Sequence, residues 1–505
     1  MYKVDKRIIT STVRELCLRG AYTLSDDVWN AMTAAKLRET EPRAKSIMNE
    51  LMGNATISAK GEYPTCQDTG VATIFVELGN DVAYNGESAA AIQEGVRKAY
   101  VEGFLRKSIQ MDPLYSQTNT RDNTPANIVV GYSDDMPSDE MRISVIQKGG
   151  GCGLLTGFKG ITPAQGKDGV KQFVVDTVRT AGGKPCPPVV VSVGIDSDGA
   201  QSMIRAQKAS LRRIGERDKD PRVAAFELEI LDALNALNIG PQGFGGKTTA
   251  YDVHVNQGHA HLVHRLVSVD IGCNCVRHQV ATIKGQREKS QVFFEKPAEV
   301  PEISADEATS EPKKVTLPLD DAQIANLKMG DMVSLSGTIY TARDAAHKRL
   351  VDMIERGEEL PFDLKNATIY YVGPTPTRPG NVIGSCGPTT SARMDPYSKI
   401  LFEHGVKGTI GKGPRGQETM DLMKEHGCVY FAAIGGAAAS AAASVVSNEP
   451  VAFEDLGAEA IRKLEVKDWV CTVAVDSFGK NIFEQKAQDL SSQKQVQSQI
   501  QKLIG

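Results

Sequence analysis

The chain has 505 residues, which is too long for one ordinary hydrophobic core, so we expect two or more domains. Hydrophobic residues make up 41% and charged residues 24% of the chain, as is typical of a soluble globular protein. The net charge of −4 gives no reason to expect a surface for nucleic acid or for an anionic membrane. The first stretch of the chain lacks the apolar core of a signal peptide, and the nine cysteines are odd in number and scattered. We therefore expect a protein of a reducing compartment, the cytoplasm.

The patterns before residue 287 predict a mixed α+β domain, residues 1–286. Apolar residues recur at helical spacing and predict helices at 27–51, 88–108, 170–180 and 222–237. Short apolar runs predict strands at 71–78, 142–147, 188–195, 251–255 and 266–271. The order of the strands in a sheet does not follow from these patterns.

Residues 287–314 are rich in Lys, Glu, Pro and Ser and predict an interdomain linker. Beyond it the patterns alternate: they predict strands at 332–340, 367–372, 408–410 and 429–434, and helices at 345–356, 397–404 and 418–426. This alternation indicates a smaller α/β domain, residues 315–484, with functional loops at the ends of its strands. The polar tail, residues 485–505, predicts an exposed terminal helix.

Four cysteines lie where loops are predicted. Cys66 lies in a loop bounded by proline and glycine, Cys186 is flanked by prolines, and Cys273 and Cys275 follow a predicted strand. Because no CxxC pair occurs, a structural zinc site is not expected. A cysteine held by such a backbone is a pre-organised metal ligand, although a buried idle thiol explains any single one equally well.

The other cysteines divide into two groups. Cys152, after three glycines, and Cys386, in a Gly/Pro/Thr loop, compete as ligands. Three others lie within apolar patterns and are predicted to be core residues: Cys17, Cys428 and Cys471.

Cations in loops are candidates for binding a carboxylate, which the planar fork of arginine does best. Arg393 and Lys412 have small, rigid neighbours that expose them, while Arg106 closes an amphipathic helix and Arg343 precedes one. Glycine-rich runs at 148–153 and 240–247 resemble anion-binding loops, a weak signal in isolation. Soft metal ligands combined with such cations suggest an iron–sulfur cluster and a small anionic substrate.

Six motifs carry a resemblance to a known family: residues 66–70 (CQDTG), 123–128 (NTPANI), 148–151 (KGGG), 186–188 (CPP), 243–249 and 387–394. Through them the chain resembles the class I, iron–sulfur-dependent fumarate hydratases, whose wider family includes L-tartrate dehydratase. The resemblance covers an α-type segment to about residue 285 and a β-type segment from about residue 315. It implies that the first is a cluster-binding domain and the second a substrate-binding domain of the swivelling type.

The resemblance implies a [4Fe–4S] cluster held by Cys66, Cys186 and Cys273, with the fourth iron open as a Lewis acid. Cys275 competes with Cys273 for the third position, and Cys152 stands where many relatives carry serine.

The resemblance also implies roles for other side chains. Thr389 matches the proposed base at C3 of the substrate, and Asp68 the proposed acid that protonates the departing hydroxyl. The positions that match binding of the dicarboxylate are Gln67, Arg106, His261, Arg343, Arg393 and Lys412. The implied protein is a homodimer that hydrates fumarate reversibly to (S)-malate in the tricarboxylic acid cycle, with its site in the cleft between the domains.

Other functions compete with this interpretation. Dehydration of L-tartrate or another 2-hydroxy dicarboxylate stays open, although no extra polar residue in the motifs obviously pairs with a second hydroxyl. A cluster-bearing protein that reads RNA is disfavoured by the net charge and by the lack of a basic stripe. Electron transfer is disfavoured because three ligands leave an iron accessible to substrate.

Overall fold

The computed structural model describes residues 2–285, 290–301 and 311–484. The helices are α1 (Lys6–Tyr22), α2 (Asp26–Arg38), α3 (Pro42–Ala59), α4 (Gly86–Glu102), α5 (Gly150–Gly153), α6 (Gly166–Ala181), α7 (Gly199–Ala209), α8 (Pro221–Asn235), α9 (Asp321–Asn326), α10 (Asp344–Glu355), α11 (Asp395–Glu403), α12 (Gln417–His426) and α13 (Ala438–Ala443). The strands are β1 (Val71–Leu78), β2 (Gln110–Met111), β3 (Thr118–Asn119), β4 (Asn127–Tyr132), β5 (Glu140–Lys148), β6 (Gly157–Ile161), β7 (Val189–Asp196), β8 (Ala250–Gln257), β9 (Arg265–Gly272), β10 (His278–Lys284), β11 (Gln291–Phe294), β12 (Lys313–Leu317), β13 (Met332–Thr341), β14 (Thr368–Tyr370), β15 (Gly408–Gly411), β16 (Val429–Ala432), β17 (Val445–Ala452) and β18 (Ile461–Val475). No helix within these residues combines the length and the apolar character needed to cross a membrane.

The first part of the chain builds two larger sheets. One has the strand order β11-β10-β5-β1-β4 and the other the order β6-β9-β7-β8. Strand β7 is buried along its whole length except at Ile195, which explains its nearly continuous apolar sequence. The short strands β2 and β3 form a separate ribbon.

The last part of the chain builds a seven-stranded sheet in the order β12-β13-β14-β15-β16-β18-β17. Strands β12 to β16 pair in parallel, with helices between β13 and β16, as the alternating pattern predicts. Strand β18 pairs antiparallel with both β13 and β16. Strands β13, β14, β15, β16 and β18 therefore close into a ring.

The structure differs from the sequence-based predictions at several elements. The helix predicted at 88–108 ends at Glu102, so Arg106 lies in the loop beyond it and does not close the helix. The helix predicted at 27–51 is two helices, because Glu39 has an extended backbone and Pro42 begins a new helix. Within the predicted linker, residues 291–294 form β11, which pairs with β10. The predicted terminal helix at 485–505 lies outside the described residues.

One hydrophobic cluster joins residues from both sides of the predicted linker. Met48 and Leu51 of α3 belong to the same buried cluster as Leu350 of α10 and Tyr430 of β16. The two parts of the chain thus share a packed contact, and the division into separate domains stays a prediction.

Candidate active site

The loop after α3 brings Cys66 and Gln67 against the C-terminal part of the chain. The side-chain amide of Gln67 donates to the carbonyl of Pro388 at 3.2 Å, across 321 residues of sequence. A Cβ on Gly387 would collide with the Gln67 side chain, so glycine permits this close approach. The motif at 66–70 and the loop at 387–394 therefore form one continuous surface.

Five thiols converge next to this surface. The sulfur atoms of Cys273 and Cys275 lie 3.5 Å apart. Cys273 also interacts with Cys152, and Cys275 with Cys66. Cys186 interacts electrostatically with Cys66 and Cys273. The structure thus brings together the three predicted ligands and two of their three competitors, Cys152 and Cys275.

Two buried cations face these thiols. The Lys412 ammonium lies 2.7 Å from the Cys186 sulfur, and although burial opposes it, this neighbour raises the pKa of Lys412. The hydrogen bond with Cys275, together with the charge of Arg277, lowers the pKa of Cys66 to about 7 against the effect of burial. Both cations favour thiolates, the form of cysteine that binds metals.

The donor set fits an iron–sulfur cluster, because cysteine thiolates are its usual ligands. Across the described ranges, no three His, Cys, Asp or Glu side chains close around a single metal ion. A cluster of four irons is larger than one ion, and its ligands are correspondingly farther apart.

The remaining cysteines lie in hydrophobic cores. Cys17, Cys428 and Cys471 are buried there, as predicted. Cys386, which the sequence left as a possible ligand, packs in a cluster with Val372 and Phe431 instead, and burial raises the pKa of its thiol. Cys386 is therefore a core residue.

Asp68 is held at both its side chain and its backbone. One carboxylate oxygen lies 2.8 Å from Nη2 of Arg106, and the backbone carbonyl accepts a hydrogen bond from Nη1 of Arg277 at 2.5 Å. Burial favours the neutral acid, but Arg106 and Arg277 hold the pKa of Asp68 at about 2. Asp68 is thus a carboxylate in the unliganded protein.

Both glycine-rich runs that resemble anion-binding loops hold carboxylates of the chain itself. The amide of Gly150 donates to Asp68 at 2.9 Å. The amides of Lys247 and Thr248 donate to the buried carboxylate of Glu39 at 2.8 and 2.7 Å. The second loop therefore has a structural role, because Glu39 uses the donors that an external anion would need.

Two guanidinium groups meet at Gly373, and the charge of a third, Arg393, acts on one of them. Arg106 donates to the Gly373 carbonyl at 3.2 Å, and a Cβ on Gly373 would lie 2.7 Å from Nη1 of Arg343. Burial and the charges of Arg106 and Arg393 lower the pKa of Arg343. Nε of Arg343 is buried and has no hydrogen-bond partner among the described residues. A carboxylate bound here would meet several donors and relieve the repulsion between the cations.

Thr389 and Lys412 are neighbours at the ends of two parallel strands. The Thr389 amide donates to the carbonyl of Tyr371, just beyond β14, at 2.8 Å. The Lys412 amide, just beyond β15, donates to the Thr389 carbonyl at 3.1 Å. These positions agree with the expectation that functional loops lie at strand ends.

His261 lies on the exposed connection between β8 and β9. Its ring stacks on His264 with centroids 4.8 Å apart, and its Nδ1 accepts a hydrogen bond from the amide of Val263. None of its hydrogen bonds within the described residues reaches the thiols or the arginines, so its role in substrate binding stays a prediction.

Sequence reasoning missed the buried polar residues that join the two parts of the chain. Gln242 exchanges two hydrogen bonds of 2.9 Å with the backbone of Gly435, and Asn274 donates to the same carbonyl at 3.2 Å. Asn54 of α3 and Arg277 were also missed. The signal for Asn54 was a polar residue within an apolar helical pattern. The signal for Arg277 was a cation directly after the cysteines at 273 and 275.

Comparison with known proteins identifies the family of the chain. The chain matches the family model of fumarate hydratase (Fumerase) over residues 10–282 and that of the fumarase C-terminus over residues 289–486. It is 34% identical over 469 residues to the anaerobic class I fumarate hydratase of Escherichia coli, which covers 88% of this chain and 84% of that protein. It is 31% identical over 470 residues to fumarate hydratase 2 of Leishmania major, which covers 88% of this chain and 81% of that protein. The chain therefore belongs to the fumarate hydratase family.

A further relative matches only the first part of the chain. A Methanocaldococcus jannaschii protein that carries the name of an L(+)-tartrate dehydratase alpha subunit is 34% identical over 284 residues. The match covers 55% of this chain and 98% of that protein.

Proposed function

We propose that this chain is a hydro-lyase that interconverts fumarate and (S)-malate. The observation that carries the proposal is the group formed by Arg106, Arg343 and Arg393, which the ion pair of Arg106 with Asp68 links to the loop that carries Cys66. Fumarate is a flat dianion, and its two carboxylates need charged donors at both ends. Class I fumarate hydratases align with this chain over most of its length, which supports the same activity.

In this proposal Cys66, Cys186 and Cys273 hold a [4Fe–4S] cluster, with Cys275 and Cys152 as adjacent thiols. Such a cluster, when bound, supplies an open iron that acts as a Lewis acid on a substrate oxygen. The convergence of these three cysteines and the cations beside them support this ligand set.

The arginines bind substrate by exchanging partners. Without substrate, Asp344 lies 2.6 Å from Arg393 and Glu459 lies 3.2 Å from Arg343. A substrate carboxylate takes the place of these internal partners, and the unpartnered Nε of Arg343 gains an acceptor. Gln67, at the junction of the two parts, and Lys412 complete the proposed binding site.

Proton transfer uses Thr389 and Asp68. In the dehydration direction Thr389 takes the proton from C3, and Asp68 gives a proton to the departing hydroxyl. A substrate carboxylate that pairs with Arg106 takes up one of the two positive charges that hold Asp68 ionised. Burial and the negative charge of the substrate then favour uptake of a proton from solvent by Asp68, and this is the proton that it gives to the hydroxyl. Threonine is a weak base at its usual pKa, so a nearby Lys or Arg must favour its alkoxide form.

Steady-state kinetics of the anaerobically reconstituted protein on fumarate, malate and both tartrate enantiomers tests the proposal. We expect kcat/KM for malate to exceed that for L-tartrate about ten- to a hundredfold, because the second hydroxyl of tartrate would be buried unpaired. The tartrate dehydratase relative makes L-tartrate the second candidate, and the opposite ranking would establish it.

A pair of matched variants tests the ligand assignment. Cys186→Ser should lose iron and activity, whereas Cys428→Ser, a buried thiol in the core, should keep both. An active, brown Cys186→Ser protein contradicts the assignment.

The proposal also includes a homodimer, a cytoplasmic location and a place in the tricarboxylic acid cycle. All nine cysteines are free, which supports a reducing compartment. Light scattering tests the dimer, for which the measured mass should be twice that of the chain.

A further inference from the structure

We infer that Arg277 is a positioning residue that fixes Asp68 and balances the charge of the thiolates, an inference that rests on the proposed function. Arg277 lies in the connection between β9 and β10, two residues after Cys275. Its side chain contacts the loop that carries Asp68 and also faces the cysteines, although none of the six motifs includes it.

The Arg277 guanidinium packs against the backbone of the loop that carries Asp68. Arg277 is only 6% exposed, and its Nη1 donates to the Asp68 carbonyl at 2.5 Å. Its Nη2 lies 3.5 Å from where a Cβ on Gly149 would stand, so the group packs against the glycine run that binds the Asp68 carboxylate. The position of Asp68 is thus set from the backbone side by Arg277 and from the carboxylate side by Arg106.

The charge of Arg277 is directed at the thiols. Arg277 also lines a cavity with Cys152 and Cys273, and its Nε there has no hydrogen-bond partner among the described residues. A buried cation is stable only beside negative charge, which the Asp68 carboxylate and thiolates of the neighbouring cysteines supply.

The two roles can be separated by substitution because they use different properties of arginine. Lysine keeps the charge but lacks the planar fork that reaches the Asp68 carbonyl while facing the thiols. Glutamine keeps a hydrogen-bond donor and loses the charge. Arg415 provides a matched control, since it is equally buried, at 5% exposure, but bonds Asp395 and Ser398 far from the thiols in sequence.

The experiment uses the reconstituted holoenzyme and measures iron content, the midpoint potential of the bound cluster, and kcat and KM for malate. Arg277→Lys should keep the iron and the potential but lower kcat about 10- to 100-fold with little change in KM, because Asp68 is displaced. Arg277→Gln should move the potential to a more negative value, because the reduced cluster loses a nearby positive charge. Arg415→Gln should lower thermal stability and leave the potential unchanged.

The outcomes separate this inference from the proposed function. A wild-type protein that binds no iron refutes the proposed function. A wild-type protein that binds iron, with an unchanged kcat in Arg277→Lys, refutes the positioning role. An unchanged potential in Arg277→Gln refutes the charge role, and if that variant does not fold, Arg277→Lys decides the inference alone.

Discussion

Replacing Asn54 by leucine should destabilise the contact between the two parts of the chain. Asn54 is completely buried on α3 and makes four hydrogen bonds to backbone groups. Its Nδ2 donates to the carbonyls of Thr65 at 3.0 Å and Gly436 at 2.9 Å. Its Oδ1 accepts from the amides of Ala439 at 2.8 Å and Ser440 at 3.0 Å. Leucine has a similar size and can make none of these bonds.

The cost follows from the number of groups that lose their partner. Each hydrogen bond contributes about 1 kcal/mol net, and each buried group left unpaired costs about 1–3 kcal/mol. We therefore expect Asn54→Leu to lower the free energy of unfolding by roughly 4–6 kcal/mol, after some relaxation of the contact.

Thermal unfolding of the cluster-free protein, followed by circular dichroism, measures this effect. The matched control is Asn49→Leu on the same helix, because Oδ1 of Asn49 is buried without a hydrogen-bond partner among the described residues. The control should keep or raise the melting temperature, while Asn54→Leu should lower it by many degrees. Equal melting temperatures for the two variants would refute the reasoning.

Three further variants test other parts of the structure. Burial raises the pKa of Glu50 from 4.5 to about 8, so its contribution to stability is complete below pH 4.5 and is lost as the pH rises through 8. Chemical denaturation should thus show that Glu50→Gln gains about 1–3 kcal/mol more at pH 9 than at pH 6, and a gain independent of pH would contradict this. Arg393→Ala should raise KM for malate and lower kcat/KM by a factor that corresponds to about 1.5–3 kcal/mol of lost transition-state stabilisation. Its control is Arg349→Ala, which removes an exposed arginine paired with Asp455 and should leave the kinetics unchanged. Cys386→Ser should keep its iron in a colorimetric assay, but its free energy of unfolding should fall by about 1–3 kcal/mol and its melting temperature should fall with it. Loss of iron would show that Cys386 is a ligand.

The parts of the fold with local signals were predictable from the sequence. Alternating apolar patterns predicted β13 to β16 and the helices between them, and the structure confirms these elements. The closure of that sheet by β18 was not predictable, because its pairing with β13 joins residues far apart in sequence and leaves no periodic trace.

The surroundings of single residues in the site were also not predictable from the local sequence. Cys66 and Cys386 both lie in loops rich in glycine and proline, yet one faces other thiols and the other a hydrophobic core. What surrounds each cysteine depends on distant segments, so the local sequence could not separate them. Arg277 was missed for a similar reason, since its bond to Asp68 spans 209 residues of sequence.

The order in which the chain is synthesised has a consequence for the contact between Gln67 and Pro388. The five thiols, from Cys66 to Cys275, are all made before the residues around 388 and 435 that cover them. At about 5–20 residues per second, translation from residue 275 to residue 435 takes roughly 10–30 s. For that time the nascent chain has its thiols but lacks the segments that shield them. If these thiols hold the proposed cluster, delivery of iron and oxidation by small molecules compete for the same sulfur atoms during that time.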